Sequence, residues 1–136
     1  MSSLVENINH IHLILKSKSD HLTDNLEFHE NWIKALVSGL DMKLLETKQK
    51  VNPISALCDK EGNEGITVAA VIETSHVVLH TWPFKKEFQL DVYTCGAMNI
   101  DFILSHLQCF SPYDVQFKIF DRKYELVEVG DIECQS

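Results

Sequence analysis

The residues that could carry chemistry are concentrated in one stretch of the chain, Glu73 to Gly96. It contains Ser75, whose hydroxyl can act as a nucleophile, His80, whose imidazole can act as a base, and Cys95, a thiol. A hydrolase triad is the first interpretation of such a set. However, Ser75 lies in no G-x-S-x-G motif and at no predicted strand-to-helix turn, so the nucleophile elbow of a hydrolase is not indicated.

Each of these residues also has a purely structural interpretation. Taken singly, His76 and His80 are more often core or surface histidines, Cys95 more often a small buried apolar residue, and Trp82 more often part of a core. The combination and its spacing favour function, because the second histidine and the cysteine follow Ser75 by five and twenty residues.

Two segments of this stretch resemble the motifs of a known family. S-H-V-V-L-H-T-W-P (residues 75–83) and D-V-Y-T-C-G (91–96) resemble the S-H-x-x-x-H-T-W-P-E and D-x-F-T-C-G motifs of the prokaryotic S-adenosylmethionine decarboxylases, which carry a covalent pyruvoyl group. The spacing between the segments matches as well, and the upstream G-I-T-V (65–68) resembles a further family motif. A composite motif with three reactive residues in register is a specific signal.

The resemblance implies a role for each matching residue. Ser75 would be the precursor of the pyruvoyl cofactor, formed when the chain cleaves itself between Thr74 and Ser75, and the pyruvoyl carbonyl would form a Schiff base with the substrate amine. His80 would transfer a proton during processing, and Cys95 would donate a proton in decarboxylation. Thr67 matches a hydroxyl position linked to processing, although a β-branched strand residue is its structural alternative.

Two positions depart from the family pattern. Thr74 replaces a glutamate, but self-cleavage uses the carbonyl of this residue, so processing is still predicted. Phe84 replaces a carboxylate expected to hold the ribose hydroxyls of the substrate, and it is therefore the candidate substrate-binding position.

These departures leave three hypotheses about function. The first is decarboxylation of S-adenosylmethionine, which gives the aminopropyl donor for spermidine synthesis. The second is a pyruvoyl-dependent decarboxylase of arginine or ornithine, whose cationic side chains would suit an acidic protein. The third is an uncleaved, non-catalytic partner subunit, which retention of Ser75, His80 and Cys95 disfavours.

The hydrophobic pattern predicts the elements that position these residues. Neighbouring strands with two helices, in the order β-α-β-β-β-β-α-β-β, imply an α+β fold: a two-layer α/β sandwich with a mostly antiparallel sheet and two helices on one face. Asp24 is the predicted N-cap of the first helix, and residues 52–65 are a predicted loop. The predicted strands are His10–Lys16, one within Met42–Val51, Ile66–Ile72, His76–Trp82, Glu87–Thr94, one over Val115–Ile119 and Tyr124–Val129, and the predicted helices are Asp24–Ser38 and Asn99–Phe110.

Strand periodicity makes two statements about the candidate site. Ser75 and His80 are an odd number of residues apart, so an ideal strand directs them to opposite faces. His10 and His12 share a face of the first strand, but no third ligand is nearby in the sequence, so no metal site is predicted.

Composition limits the class of protein. The 136 residues predict a single domain, 1–136, and a net charge of −8 argues against a nucleic-acid partner. No apolar run is long enough for a membrane span, the start is not that of a signal peptide, and the four cysteines form no CxxC pair, so a cytoplasmic protein with free thiols is predicted. A small-molecule substrate is expected, and the uncovered face of the sheet predicts a homodimer.

Overall fold

The computed structural model describes residues 9 to 134, and within them seven strands form one antiparallel sheet. Its strands lie in the order β2-β3-β4-β5-β1-β6-β7. The elements are β1 (Ile11–Lys18), α1 (Leu26–Gly39), β2 (Ile54–Cys58), β3 (Gly65–Ile72), β4 (Ser75–Trp82), β5 (Glu87–Thr94), α2 (Ile100–His106), β6 (Tyr113–Asp121) and β7 (Val127–Cys134). The predicted α+β fold and the predicted order of elements are confirmed.

One face of the sheet forms the core because the central strands alternate in burial. In β4, Val77 and Leu79 are fully buried while His76 and His80 on the other side are half-buried. Helix α1 packs its apolar stripe on the same side, with Trp32, Ile33, Leu36 and Val37 buried. We call this side the helix face and the other side the open face.

The ends of α1 differ in detail from the sequence prediction. Asn25, rather than Asp24, is the N-cap, and its side-chain oxygen accepts a hydrogen bond from the Phe28 N–H at 3.0 Å. Gly39 is the last residue of the helix, and a Cβ there would overlap the Phe102 ring of α2. A larger residue at this position would have to displace the Phe102 ring.

Two predictions about the region before β3 are wrong. The segment Met42–Val51 contains no strand, only an isolated bridge from Leu44 to Ile72, and β2 lies at Ile54–Cys58 inside the predicted loop. β2 is an edge strand whose residues are mostly exposed, so it lacks the alternation that reveals half-buried strands. Ser55 donates a hydrogen bond to Glu30, which fixes β2 beneath α1.

The second helix is also shorter than predicted. α2 begins after the N-cap Asn99, as expected, but ends at His106 and continues as the 3-10 turn Leu107–Phe110.

Among the residues that the structure describes, no helix is long and apolar enough to cross a membrane.

Candidate active site

The peptide bond predicted to be cleaved lies in the tight turn between β3 and β4. Ile72 pairs with Ser75, so only Glu73 and Thr74 form the turn. Two-residue hairpin turns favour residues with positive φ, and Thr74 has a φ of 49°. This conformation is unfavourable for a β-branched residue and costs about 1–3 kcal/mol. Strain is thus stored immediately before Ser75.

The Ser75 side chain is held in a fixed position at the start of β4. Its Oγ accepts a hydrogen bond from the Cys95 backbone N–H at 3.1 Å and lies 3.6 Å from the Cys95 Sγ. Ser75 is on the helix face and is 9% exposed. The structure therefore joins two of the three residues of the sequence motif, the serine and the cysteine.

The Cys95 thiol lies among polar groups of the turn. Cys95 follows the last residue of β5, and pairing of β5 with β4 brings it next to Ser75. Its Sγ is 2.9 Å from the Thr74 Oγ1 and 3.8 Å from the Glu73 carbonyl oxygen. Hydrogen bonds with the Thr74 and Ser75 hydroxyls lower the pKa of the Cys95 thiol below its ordinary value, and burial and the Glu73 charge oppose this only in part.

His80 lies elsewhere, on the open face. It pairs across the ladder with Thr67, and its Nδ1 is 2.8 Å from the Thr67 Oγ1. The predicted placement of Ser75 and His80 on opposite faces is confirmed, and five residues of strand separate them by about 16 Å. The structure thus brings together Thr67 and His80, two residues that were separately predicted to act in processing, but does not bring them to Ser75.

Phe84 is also remote from Ser75 within one chain. It lies in the 3-10 turn Pro83–Lys85 beyond the far end of β4, and its side chain is 82% exposed. The length of β4 alone separates the two residues by about 23 Å. A small substrate bound at Ser75 of one chain does not reach Phe84 of the same chain.

Sequence reasoning missed the hydroxyl of Thr74 as a member of the site. It considered only the carbonyl of this residue, whereas the structure places its side chain against Cys95. The signal that could have found this contact is the hairpin register: a two-residue turn before Ser75 brings residue 74 alongside the end of β5.

Comparison with known proteins agrees with the motifs. A model of the S-adenosylmethionine decarboxylase family matches residues 9–123, and the chain therefore belongs to this family.

Three of the matching relatives are named proenzymes. The chain is 52% identical over 65 residues to an S-adenosylmethionine decarboxylase proenzyme of Saccharolobus islandicus (48% of each chain). It is 38% identical over 63 residues to one of a Hydrogenobaculum species (43% of this chain, 45% of the relative). It is also 37% identical over 67 residues to an arginine decarboxylase proenzyme of Pyrobaculum arsenaticum (46% of this chain, 48% of the relative). These matches span about half the length of the relatives.

Proposed function

We propose that this chain is a proenzyme that cleaves itself between Thr74 and Ser75 and then decarboxylates S-adenosylmethionine through a pyruvoyl group derived from Ser75. The observation that carries the proposal is the placement of the Ser75 Oγ. It is oriented by the Cys95 N–H, adjoins the Cys95 thiol, and follows a threonine held at a φ of 49°.

The cleavage chemistry uses groups that are present at the turn. Ser75 Oγ attacks the carbonyl carbon of Thr74, and the amide becomes an ester as the Ser75 nitrogen leaves as a free amine. Loss of the Ser75 α-proton then expels the Thr74 carboxylate from the Ser75 Cβ. Water hydrolyses the resulting enamine at position 75 with release of ammonia. The first step removes the strained turn at Thr74, so strain favours it.

Cys95 suits two successive proton transfers. Before cleavage, hydrogen bonds with Thr74 and Ser75 favour its thiolate, which can accept the Ser75 hydroxyl proton. After cleavage the Ser75 hydroxyl no longer exists, so one of the causes of the lowered pKa is removed. The thiol is then more fully protonated, as a proton donor to the substrate α-carbon must be.

The surroundings of Ser75 fit a pyruvoyl group. The Cys95 N–H that donates to the Ser75 Oγ can also donate to a carbonyl oxygen at that position, and the thiol lies beside it. When present, the pyruvoyl carbonyl supplies an electron sink for the carbanion left by departing carbon dioxide.

The part played by His80 depends on movement of the turn. His80 acts on the Ser75 α-proton only if residues 74 and 75 leave the hairpin, and the Ile72–Ser75 pair is the last one in that ladder. The Thr67 hydroxyl, 2.8 Å from the His80 Nδ1, orients the imidazole for this step.

A second substrate has support from three observations. Phe84 cannot provide the carboxylate that the family motif places there, and one relative is named an arginine decarboxylase proenzyme. The exposed Phe84 lines a cleft together with Asp24, Asp59 and Glu64, and if this cleft of a second copy lay near Ser75, its carboxylates would attract a cationic side chain. Arginine is therefore the alternative substrate.

The active form proposed here is a homodimer that uses the open face. This face exposes Ile14, Ile54 and Val71 beside polar side chains, an apolar surface that a second copy would cover. Only a second copy can bring a Phe84 close to Ser75. The described cysteines Cys58, Cys95 and Cys109 are free thiols, which suits a reducing cytoplasm.

Intact-mass measurement tests self-cleavage. The purified chain is expected to convert from 15.6 kDa into fragments 1–74 and 75–136, whereas Ser75→Ala stays whole. Ser38→Ala, at an exposed serine of α1, is the matched control and should be cleaved like the unaltered chain. A chain that stays whole after prolonged incubation would contradict both enzyme functions and support the non-catalytic alternative.

Release of labelled carbon dioxide tests the substrate. The cleaved protein is expected to release it from carboxyl-labelled S-adenosylmethionine. If labelled carbon dioxide is released from arginine alone, arginine and not S-adenosylmethionine is the substrate. The proposed cleavage chemistry would not be affected by this result. Sedimentation measures the dimer independently of both assays.

A further inference from the structure

Three side chains outside the cleavage site converge on the open face. The Nε2 atoms of His12 and His76 lie 2.8 Å and 3.0 Å from the same Asp91 oxygen, Oδ1. The potential ligand atoms of the three residues all lie within 4.8 Å of one another. None of these residues takes part in the chemistry at Ser75 described above.

The register of three neighbouring strands builds this cluster. Tyr93 of β5 is paired with His12 of β1 on one side and with His76 of β4 on the other. Asp91 lies two residues before Tyr93, so it shares their face of the sheet and reaches between the two imidazoles. The cluster therefore rests on three paired strands and not on loops.

Two imidazole nitrogens and one carboxylate oxygen form a common ligand set for divalent transition metals. An ion about 2.0–2.2 Å from each atom would require only small adjustments of the side chains. The His12 side chain is 18% exposed, whereas His76 and Asp91 are 43% and 37% exposed. In the single chain, outside the proposed dimer, one side of the cluster is thus open to water, which would complete the coordination.

We propose that His12, His76 and Asp91 form a binding site for a divalent transition-metal ion such as Zn²⁺ or Co²⁺. The sequence predicted no metal site because His10 and His12 lacked a third ligand nearby. In the structure His10 instead contacts the Tyr93 hydroxyl, and His12 finds both of its partners on other strands. The bound ion would connect β1, β5 and β4.

A positive charge near the cluster opposes the ion. The Arg122 guanidinium lies 4.5 Å from the centre of the Tyr93 ring, which itself contacts both histidine rings. Coulomb repulsion weakens binding of a cation here. Arg122→Gln should therefore bind the metal more tightly than the unaltered chain does.

Titration of the protein with Co²⁺ tests the site. Calorimetry and the visible absorption of the ion measure its binding. Because exposed thiols also bind such ions, the full chain is used with Cys58→Ser and Cys109→Ser, both at exposed cysteines. One equivalent per chain is expected, with a spectrum of nitrogen and oxygen ligation and a rise in Tm.

Variants then assign the ligands. His76→Gln and Asp91→Asn should each weaken binding at least tenfold, whereas His21→Gln, at an exposed histidine outside the cluster, should not change it. Absence of stoichiometric binding by the unaltered cluster would overturn the proposal, as would equal affinity in His76→Gln. If Asp91→Asn does not fold, the stoichiometry of the unaltered cluster and the affinity of His76→Gln still test the proposal. His76→Gln is suitable because the His76 side chain is partly exposed, so its replacement disturbs little packing.

Discussion

The two faces of β4 carry different chemistry. The helix face holds Ser75 in line with the buried Val77 and Leu79, next to a thiol whose pKa is lowered. The open face of the same strand holds His76 and His80, half-buried and in contact with polar partners on neighbouring strands. One strand thus supplies the Ser75 hydroxyl to one side of the sheet and two imidazoles to the other.

This difference changes how the sequence motif is understood. Residues that are close together in S-H-V-V-L-H do not act as one cluster in the uncleaved chain, because adjacent strand positions face opposite ways. Cys95, twenty residues away, is a closer neighbour of Ser75 than His80 is. In the proposals above, the helix face would serve cleavage and proton donation, and the open face positioning, assembly and metal binding.

Replacement of Cys95 should have the largest effect, because it removes the only thiol beside Ser75 among the described residues. Cys95→Ala is expected to lower decarboxylation by about 10²–10⁴-fold, the usual contribution of a positioned acid, and to slow cleavage as well. Carbon dioxide release is measured per cleaved chain, with Cys58→Ala as the control at an exposed cysteine. Decarboxylation by cleaved Cys95→Ala at the rate of the unaltered protein would exclude Cys95 as the proton donor.

Replacement of His80 tests whether the open face takes part in cleavage. His80→Ala is expected to slow chain breakage about 10–100-fold while the ester at Ser75 still forms, because only the later proton transfer needs an imidazole. Hydroxylamine, which cuts the ester, should release the fragments from this variant.

Thr67 provides a second measurement of the same step. Thr67→Val keeps the shape but removes the contact with His80 Nδ1, so its effect should be smaller and should not add to that of His80→Ala. If both variants are cleaved at the rate of the unaltered chain, His80 and Thr67 take no part in cleavage, and assembly would be the remaining role of this part of the open face.

The turn residue Thr74 should set the pH dependence of cleavage. The cleavage rate should rise with pH as Cys95 becomes a thiolate, with a midpoint below the ordinary pKa of a cysteine thiol. Thr74→Ala removes the largest cause of the lowered pKa, so its midpoint should move to higher pH and its rate near neutrality should fall severalfold. Thr74→Gly also relieves the positive φ and should be slower still. An identical pH profile in Thr74→Ala would exclude this hydroxyl as the cause.

The smallest expected effect concerns stability on the helix face. His29 is fully buried, its Nδ1 donates to the Asn25 carbonyl oxygen at 2.6 Å, and its Nε2 has no partner among the described residues. Burial lowers the pKa of His29, so near pH 6 the unfolded chain binds more protons at this residue than the folded chain does. The free energy of unfolding should therefore fall as the pH drops below about 6.5, by at most about 1.4 kcal/mol per pH unit.

Urea unfolding of the uncleaved Ser75→Ala chain between pH 7 and 5 measures this effect. His29→Leu in the same background should show a flatter pH dependence. Equal slopes for the two proteins would show that the pH dependence comes from another group.

The sequence predicted the elements whose signals are local. β5 was predicted at its observed bounds, because Phe88, Leu90 and Val92 alternate with polar residues. The sequence did not predict β2 because most residues of this edge strand are exposed, so it has no alternation of buried and exposed residues. The strand is defined by its hydrogen-bonded ladder with β3, which the hydrophobic pattern does not show.

The same distinction between local signals and pairing between strands applies to the candidate site. The odd number of positions between Ser75 and His80 on one strand was enough to predict that their side chains lie on opposite faces of the sheet. The contact of Thr74 with Cys95, and that of Asp91 with two histidines, depend on the register between strands, which periodicity within one strand does not determine.

The sheet order has one more consequence for a chain cut after Thr74. Fragment 1–74 would contribute β1, β2 and β3, and fragment 75–136 the other four strands, yet β1 lies between β5 and β6. The two fragments would be interleaved, joined by three separate ladders, β3–β4, β1–β5 and β1–β6. Without β1 the later fragment would hold two disconnected strand pairs. Folding must therefore precede cutting, and the halves made separately are expected not to assemble as the cut chain does.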